Sequence, residues 1–314
     1  MDSKKPIIDI SDLTVSFQSS NIILKPIEKI SLSIYHGETI AIIGESGSGK
    51  SVLGLSIIRL LPEKSIINGS IIFNGKNLLS ISEKEIESVR GGIISWIPQN
   101  PKTGFNYSMK MWKQIAEPSV IHSGKTWSEA RKKAISQLNI FNIIPAPFWA
   151  EEHPVTYSGG MLQRAMIAMG TAANPEVIII DEPTKGVDVI NKSEIVDIFA
   201  DLKRKGKTLI LITHDLKVAE DLADRIVVMY CGQIVEIAEN NQFFNNPRHP
   251  YSKGLIQSLP QNGLHPIPGS APPMQIRLSG CRFGERCDKL NEQCKKNIPL
   301  ISVSDDYVRC IQYN

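Results

Sequence analysis

The sequence GESGSGKS at residues 44–51 fits the pattern G-x-x-x-x-G-K-[ST]. It follows an apolar run at residues 39–43 and precedes apolar residues at helical spacing, which are Leu53, Ile57, Leu60 and Leu61. A strand, a glycine-rich turn and a helix in this order bind nucleotide phosphates, because successive backbone N–H groups of the turn point at the phosphate oxygens. We expect Lys50 to reach the β- and γ-phosphates and Ser51 to ligate Mg²⁺. The flanking strand and helix argue against a merely flexible Gly/Ser turn.

The composition is that of an ordinary globular protein. The 314 residues are 42% hydrophobic and 21% charged, enough for one main domain with additions. The 35 basic and 32 acidic residues leave a net charge of +3, so no nucleic acid partner is expected. No apolar run approaches the roughly 18 residues that span a bilayer, and the start MDSKKPIIDI lacks the apolar region of a signal peptide. We therefore expect a cytosolic protein, one that can still bind a membrane protein.

The N-terminal region reads as an antiparallel sheet. Residues 7–43 alternate short β-rich pieces with polar turns, and a further β piece at residues 69–73 ends in the hairpin signal Asn74-Gly75. Phe17 lies in one of these pieces. It could stack on an adenine ring or pack as a core aromatic, and the sequence leaves both readings open.

Three predicted strands end in polar side chains. The strand predicted at residues 93–99 ends with Gln99. The strand at residues 177–180 is followed by Asp181 and Glu182, and the strand at residues 208–212 is followed by Thr213-His214-Asp215. The carboxyl ends of strands in an open α/β sheet are where ligands bind, so we expect these side chains to gather beside the phosphate-binding turn at residues 44–51, the P-loop. Asp181 would hold Mg²⁺ and Glu182 would meet the attacking water. Alone, Gln99 would be a surface loop residue and His214 a structural histidine.

Between these strands lies a helical insertion. From Lys110 to Ala168 the pattern is helical, with a helix start at Thr126 and Glu129 three residues later. A proline-rich loop then leads to YSGGMLQR at residues 157–164. Residues 225–237 predict a hairpin that turns at Cys231-Gly232, and the sequence beyond residue 246 reads as an irregular, cysteine-containing appendage.

In this order the motifs resemble those of the nucleotide-binding subunits of ATP-binding cassette (ABC) transporters. The most specific element is Ser158-Gly159-Gly160-Met161, which resembles the signature motif of that family. The resemblance implies an α/β fold, a P-loop NTPase core of ABC type with an antiparallel β subdomain, a helical insertion and an irregular C-terminal extension. It places the core at residues 1–98 and 165–245, the helical subdomain at 99–164 and the extension at 246–314.

The resemblance also implies residue roles. Phe17 would stack on adenine, Glu182 would be the general base, His214 would contact the γ-phosphate, and Gln99 would join Ser51 and Asp181 at Mg²⁺. Ser158 to Met161 and Asp188 would meet ATP held by a second subunit, although PTKGVD at 183–188 departs from the usual pattern at Lys185. The implied ATP-binding set is Phe17, Gly44, Glu45, Ser46, Gly47, Ser48, Gly49, Lys50, Ser51 and Val52.

A narrower resemblance is to importer subunits for oligopeptides, dipeptides and nickel. It depends on SGGMLQR, on HPYSKGLIQSLP at 249–260, on IPGSAPP at 267–273 and on the C-terminal cysteines. Related subunits carry a [4Fe–4S] cluster in this extension, and four thiolates could hold one here. The alternative is four reduced thiols without a ligand. The four are Cys281, Cys287, Cys294 and Cys310.

The expected function is therefore ATP hydrolysis that powers an ABC importer of oligopeptides or dipeptides. The implied partners are a second ATP-binding subunit in a heterodimer, two transmembrane permease subunits and an extracytoplasmic solute-binding protein, with this chain at the cytoplasmic face of the membrane. Three alternatives remain: a nickel or metal-chelate importer, a soluble ABC ATPase, and a regulatory subunit that does not hydrolyse ATP. A GTPase is disfavoured because NKSE at 191–194 does not complete a guanine-binding N-K-x-D motif.

Overall fold

The structure is a computed structural model that describes residues 5–19, 22–185, 189–272 and 279–313. Its strands are β1 (Ile8–Ser19), β2 (Ile22–Ile34), β3 (Thr39–Ile43), β4 (Ser65–Phe73), β5 (Lys76–Asn77), β6 (Ile94–Ile97), β7 (Val177–Asp181), β8 (Thr208–Ile212), β9 (Arg225–Tyr230), β10 (Gln233–Glu239), β11 (Ile301–Val303) and β12 (Asp306–Val308). Its helices are α1 (Lys50–Ile57), α2 (Glu83–Val89), α3 (Pro101–Gly104), α4 (Met111–Ser123), α5 (Trp127–Ile140), α6 (Ala146–Glu151), α7 (Gly159–Thr171), α8 (Val189–Arg204), α9 (Leu216–Leu222), α10 (Asn240–Asn245) and α11 (Pro250–Gln257). Short 3₁₀ turns lie at Pro154–Thr156, Pro260–Asn262, Gly284–Arg286, Glu292–Lys295 and Ile311–Tyr313.

The backbone divides into two compact units. The first contains Met1–Tyr35, Thr39–Leu79 and Ile212–Asn314, and the second contains His36–Glu38 and Ser80–Leu211. Within the described ranges, no helix combines the length and the apolar character that a bilayer crossing requires.

The first unit is built on two sets of strands. One is an antiparallel sheet in the order β2-β1-β4-β5, which confirms the antiparallel sheet predicted for the N-terminal region. The other runs in the order β11-β12-β10-β9-β3, and β3 lies parallel to β9 with Ile43 opposite Val228. All five residues of β3 are buried. A strand buried on both faces favours a continuous apolar sequence, which residues 40–43 provide.

Both predicted hairpins are present. Asn74 and Gly75 have φ values of 47° and 83°, and Cys231 and Gly232 have φ values of 44° and 82°. Two consecutive residues with positive φ form the turn whose twist matches that of paired strands. The first turn joins β4 to β5, and the second joins β9 to β10.

The second unit contains strands in the order β8-β7-β6 and the helices α2 to α8. Strands β6 and β7 are parallel, with Ile94 opposite Val177 and Ile97 opposite Ile180. The predicted capping box at the start of α5 is confirmed, because Thr126 Oγ1 accepts from Glu129 N at 3.3 Å and Glu129 Oε2 accepts from Thr126 N at 2.9 Å.

Two predictions differ from the structure. The helix α1 ends at Ile57, and Arg59 has a φ of 51°, so Leu60 and Leu61 lie beyond the helix that their spacing predicted. The C-terminal extension is also more regular than predicted. It forms α11 and the short strands β11 and β12, and β12 pairs with β10 through Glu236 and Val308. Strands of three residues carry too little periodicity to be recognised, since only the neighbouring strand gives them a partner.

The extension is attached through buried polar contacts. The Glu236 carboxylate accepts from the backbone N–H groups of Arg248 at 2.8 Å and His249 at 2.7 Å. His249 is 1% exposed, and its Nδ1 accepts from Tyr251 N at 3.1 Å, which caps α11. Burial lowers the pKa of His249 to about 3, so the imidazole is neutral in the folded protein.

This neutral imidazole predicts a pH dependence of stability. The pKa of His249 falls from 6.5 to about 3 on folding, so the unfolded chain binds a proton that the folded chain does not. The resulting stability is present above pH 6.5 and is lost as the pH falls from 6.5 towards 3, at up to about 1.4 kcal/mol per pH unit. His249→Asn keeps a capping side chain but removes the titration.

Urea unfolding of the wild type and of His249→Asn between pH 7 and pH 5 measures the difference in slope. We expect the free energy of unfolding to fall more steeply for the wild type. Equal slopes for the two proteins would contradict the assignment of a neutral His249.

Candidate functional site

Two glycines of the P-loop lie in close contact with the backbone of β2 and β9. Gly44 has a φ of 148°, and a Cβ there would lie 2.1 Å from Met229 O. Gly49 has a φ of 100°, and a Cβ there would lie 2.3 Å from Pro26 O. Backbone oxygens cannot move aside as a flexible side chain can. The turn therefore requires glycine at both positions, for conformation and for space.

Polar groups inside the turn are arranged around Lys50. The ammonium group donates to Gly44 O at 2.8 Å and to Glu45 O at 3.0 Å, and the residue is 6% exposed. Ser48 N donates to Glu45 O at 3.2 Å, while the buried Ser48 Oγ has no hydrogen-bond partner among the described residues. A buried cation, a spare hydroxyl and the N-terminus of α1 form an anion site, so a nucleotide phosphate fits here.

His214 lies near the end of β3 from which the P-loop continues. The preceding residue, Thr213, donates its N–H to Ile42 O at 3.1 Å, two residues before the P-loop begins. Thr213 Oγ1 accepts from Asp215 N at 3.0 Å, and Asp215 caps α9 by accepting from Lys217 N at 3.1 Å and Val218 N at 3.2 Å. The first unit thus places the exposed His214 near the end of β3 that leads into the P-loop.

In the second unit, Gln99 and the two carboxylates share one edge. Asp181 is the last residue of β7 and is 6% exposed, and Gln99 follows the end of β6 by two residues. The parallel register of β6 and β7 brings both to the carboxyl end of the strands. Glu182 has a φ of 49°, a conformation that costs a non-glycine residue of order 1 kcal/mol and is common at functional sites.

The signature motif forms the start of α7. Ser158 is the N-cap, and its Oγ accepts from Met161 N at 3.3 Å. Ser158 and Gly159 are exposed, so this helix N-terminus can meet an anion from outside the chain. Arg164, whose side chain is 9% exposed, donates to Glu194 at 2.7 Å and ties α7 to α8. The sequence did not identify this ion pair, because α8 begins some 25 residues further on and no local pattern links them.

Two predicted site residues receive no assignment from the structure. Phe17 is half-buried in β1, opposite Leu24 and Ser65, which does not separate the stacking role from the core role. Asp188 lies outside the described residues. Lys185, the departure from the family pattern, is exposed.

The structure does not support the expected iron–sulfur cluster. Among the described residues, no group of three or more His, Cys, Asp or Glu side chains could hold a metal ion. The four tail cysteines do line one pocket together with His249. Burial raises the pKa of Cys281 to about 11 and also raises the pKa values of Cys287 and Cys310. Without a bound metal, burial therefore favours the neutral thiols of Cys281, Cys287 and Cys310.

Two residues of the C-terminal extension contact the P-loop, and the sequence analysis did not predict these contacts. Tyr251 Oη accepts from Glu45 N at 2.8 Å, and Arg286 Nη1 donates to both Glu45 carboxylate oxygens at 2.9 and 3.0 Å. The HPY sequence at 249–251 was noticed only as a resemblance, and nothing local links it to residue 45.

These features define a P-loop ATPase. Residues 27–185 match the family model described as ABC transporter, and residues 235–294 match that described as oligopeptide/dipeptide transporter, C-terminal region. The chain belongs to the ABC transporter ATP-binding proteins, as the motifs indicated, and it is an ATPase of that family.

Individual relatives agree with this family. A probable peptide ABC transporter ATP-binding protein of Sinorhizobium fredii is 39% identical, over 94% of this chain and 91% of the relative. The dipeptide transport ATP-binding protein DppD of Bacillus subtilis is 37% identical, over 96% of this chain and 92% of the relative. The fold is similar to that of the ATP-binding cassette MJ0796 in a dimeric post-hydrolysis state, with a TM-score of 0.67 and 24% identity over 74% of this chain and 98% of the cassette.

The close approach at Gly44 predicts a selective loss of function. Gly44→Ala places a methyl group against Met229 O and should distort the P-loop, weakening ATP binding as well as stability. Gly75→Ala is the matched control, because Gly75 also has a positive φ, of 83°, but a Cβ there meets nothing within 4 Å. The control should lose only about 1 kcal/mol of stability and keep its ATP affinity.

Thermal unfolding and equilibrium ATP binding of both variants measure these effects. Normal ATP affinity in Gly44→Ala would show that the close packing of the turn does not matter for binding.

Proposed function

We propose that this chain is the ATP-hydrolysing subunit of an ABC importer that takes up oligopeptides or dipeptides. The observation that carries the peptide class is the match of residues 235–294 to the C-terminal region of oligopeptide/dipeptide transporters. Relatives at 37 to 39% identity, named for peptide or dipeptide transport, support it further. The same observations favour peptides over nickel or metal chelates, and a transporter over a soluble ABC ATPase.

The proposed chemistry assigns one role to each site residue. Lys50 and the backbone N–H groups of the P-loop bind the β- and γ-phosphates, and Phe17 stacks on the adenine. Ser51, Asp181 and Gln99 would hold Mg²⁺, which would neutralise charge on the phosphates. Glu182 accepts a proton from water as the water oxygen attacks the γ-phosphorus and the bond to the β–γ bridging oxygen breaks. His214 donates to the γ-phosphate and orients it.

A second ATP-binding subunit completes the proposed site. The exposed N-terminus of α7, with Ser158 Oγ and the N–H groups of Gly159 and Gly160, suits a γ-phosphate held by the partner. Asp188 would contact the same partner site. Tighter binding of ATP to the closed dimer than to the open one would supply the free energy for transport.

The proposed membrane partners are two permease subunits, served by an extracytoplasmic solute-binding protein. Exposed large apolar side chains concentrate between residues 107 and 155, which supports a protein partner on this segment. They are Tyr107 (42% exposed), Ile121 (66%), Trp127 (43%), Ile140 (57%), Ile144 (65%), Phe148 (56%) and Val155 (72%). Docking there would place the chain at the cytoplasmic face of the membrane.

The role of Glu182 predicts a separation of binding from hydrolysis. Glu182→Gln keeps the size of the side chain but removes the base, so ATP hydrolysis should fall by at least about 100-fold while ATP binding is retained. Glu176→Gln is the matched control. Glu176 lies before the opposite end of β7 and pairs with His36 at 3.2 Å.

Steady-state phosphate release and equilibrium ATP binding separate the two effects. Unchanged turnover in Glu182→Gln would exclude Glu182 as the base, and an equal loss in Glu176→Gln would show that the effect is not specific.

The transport function is tested by reconstitution in lipid vesicles. The chain is combined with a second ATP-binding subunit, two permeases and a solute-binding protein from the same organism, and ATPase activity is measured with dipeptides, oligopeptides and Ni²⁺. We expect peptides to stimulate hydrolysis. Stimulation by Ni²⁺ alone would favour the metal importer, and failure to assemble with any permease would favour a soluble ATPase.

A further inference from the structure

Glu45, the second residue of the P-loop, is held through its backbone and its side chain. Its N–H donates to Tyr251 Oη at 2.8 Å. Its carbonyl accepts from Ser48 N at 3.2 Å and from Lys50 Nζ at 3.0 Å. Both carboxylate oxygens accept from Arg286 Nη1, at 2.9 and 3.0 Å. Two residues of the C-terminal extension thus fix one residue of the phosphate-binding turn.

Arg286 is itself held in a fixed position. Its Nε donates to Pro268 O at 2.8 Å, and its Nη1 also donates to Tyr230 Oη at 3.2 Å. The guanidinium lies 5.8 Å from the centre of the Tyr230 ring and 5.7 Å from that of Phe283. The side chain is 7% exposed, compared with 31% for Glu45. Such a buried and oriented guanidinium provides a directed partner for a carboxylate.

The cysteine-bearing segment presents this arginine. Arg286 ends a 3₁₀ turn in which Gly284 N donates to Cys281 O at 3.0 Å and Cys287 N donates to Gly284 O at 3.0 Å. Tyr251 is presented separately by α11 and is fully buried. The ring centres of Tyr251 and Tyr230 are 4.7 Å apart, so the two contacts to Glu45 belong to one aromatic cluster.

The charge of Glu45 gives these contacts a role beyond packing. A carboxylate within the turn that binds ATP phosphates would repel the nucleotide unless a cation neutralises it. Arg286 is the cation that contacts this carboxylate. Because it is largely buried, solvent screens the pair less than a surface ion pair.

We propose that Arg286 is a positioning residue for the P-loop: by neutralising and orienting Glu45, together with Tyr251, it sets the affinity of the chain for ATP. The C-terminal extension is then part of the nucleotide site rather than an appendage. This goes beyond peptide import and rests on the proposed binding of ATP by the P-loop.

The test is a set of variants of the full chain, with ATP and ADP titrated by calorimetry. Arg286→Ala should weaken ATP binding about tenfold, because the Glu45 carboxylate is then left to repel the phosphates. ADP should lose less because it carries less negative charge, and the defect should shrink in high salt. Arg286→Lys should lie between the wild type and Arg286→Ala.

The double variant Glu45→Gln/Arg286→Ala separates charge from structure. It lacks both charges, so its ATP affinity should be higher than that of Arg286→Ala, in which the Glu45 carboxylate is left without Arg286. Arg248→Ala is the control, because it breaks another extension ion pair, to Asp306 at 3.1 Å, and Arg248 is not among the residues that hold Glu45. It should leave ATP affinity unchanged.

Two results would overturn the inference. One is a folded Arg286→Ala variant that binds ATP with wild-type affinity, and the other is a double variant that binds ATP no more tightly than Arg286→Ala. If Arg286→Ala does not fold, Arg286→Gln decides, since it keeps much of the side chain but removes the charge and should also weaken ATP binding; ATP affinity equal to that of the wild type would contradict the inference. If the wild-type chain bound no ATP, the P-loop assignment itself would fail.

Discussion

The close approach of the P-loop to the backbone of β2 and β9 is the constraint on which the functional part of the first unit depends. At Gly44 and Gly49 the turn lies so near Met229 O and Pro26 O that no side chain fits. This packing holds the carbonyls of Gly44 and Glu45 where Lys50 Nζ reaches both. The ammonium group is therefore fixed at the start of α1, where helix dipole and backbone N–H groups already favour an anion.

The elements that carry the chemistry could be predicted from local sequence. Strands β3 and β8 begin and end at the predicted residues, and β7 ends at Asp181 as expected. Each contains a run of four apolar residues bounded by polar residues, a pattern typical of a strand buried on both faces. The hairpin at Cys231-Gly232 and the cap at Thr126 were predictable for a different reason. A turn or a helix start depends on residues that are adjacent in the sequence.

What could not be predicted depends on residues far apart in the chain. Glu45 and Arg286 are separated by 241 positions, and no residue pattern near either of them indicates that they form an ion pair. The pairing of β12 with β10 is similar, because three-residue strands have no pattern of their own. Four clustered cysteines predicted an iron–sulfur cluster, which the structure does not support, because no group of three or more His, Cys, Asp or Glu side chains could hold a metal ion among the described residues.

The two units divide the proposed work. The first carries the P-loop, His214 and the extension that holds Glu45, while the second carries Gln99, the carboxylates of Asp181 and Glu182, and the signature helix. The central claim is that the P-loop, through Lys50, binds ATP. Its most direct measurement is the equilibrium dissociation constant of ATP for the wild type and for Lys50→Ala, without Mg²⁺. We expect measurable binding in the wild type and a loss of at least about tenfold in the variant; equal affinity in the two proteins would contradict the account.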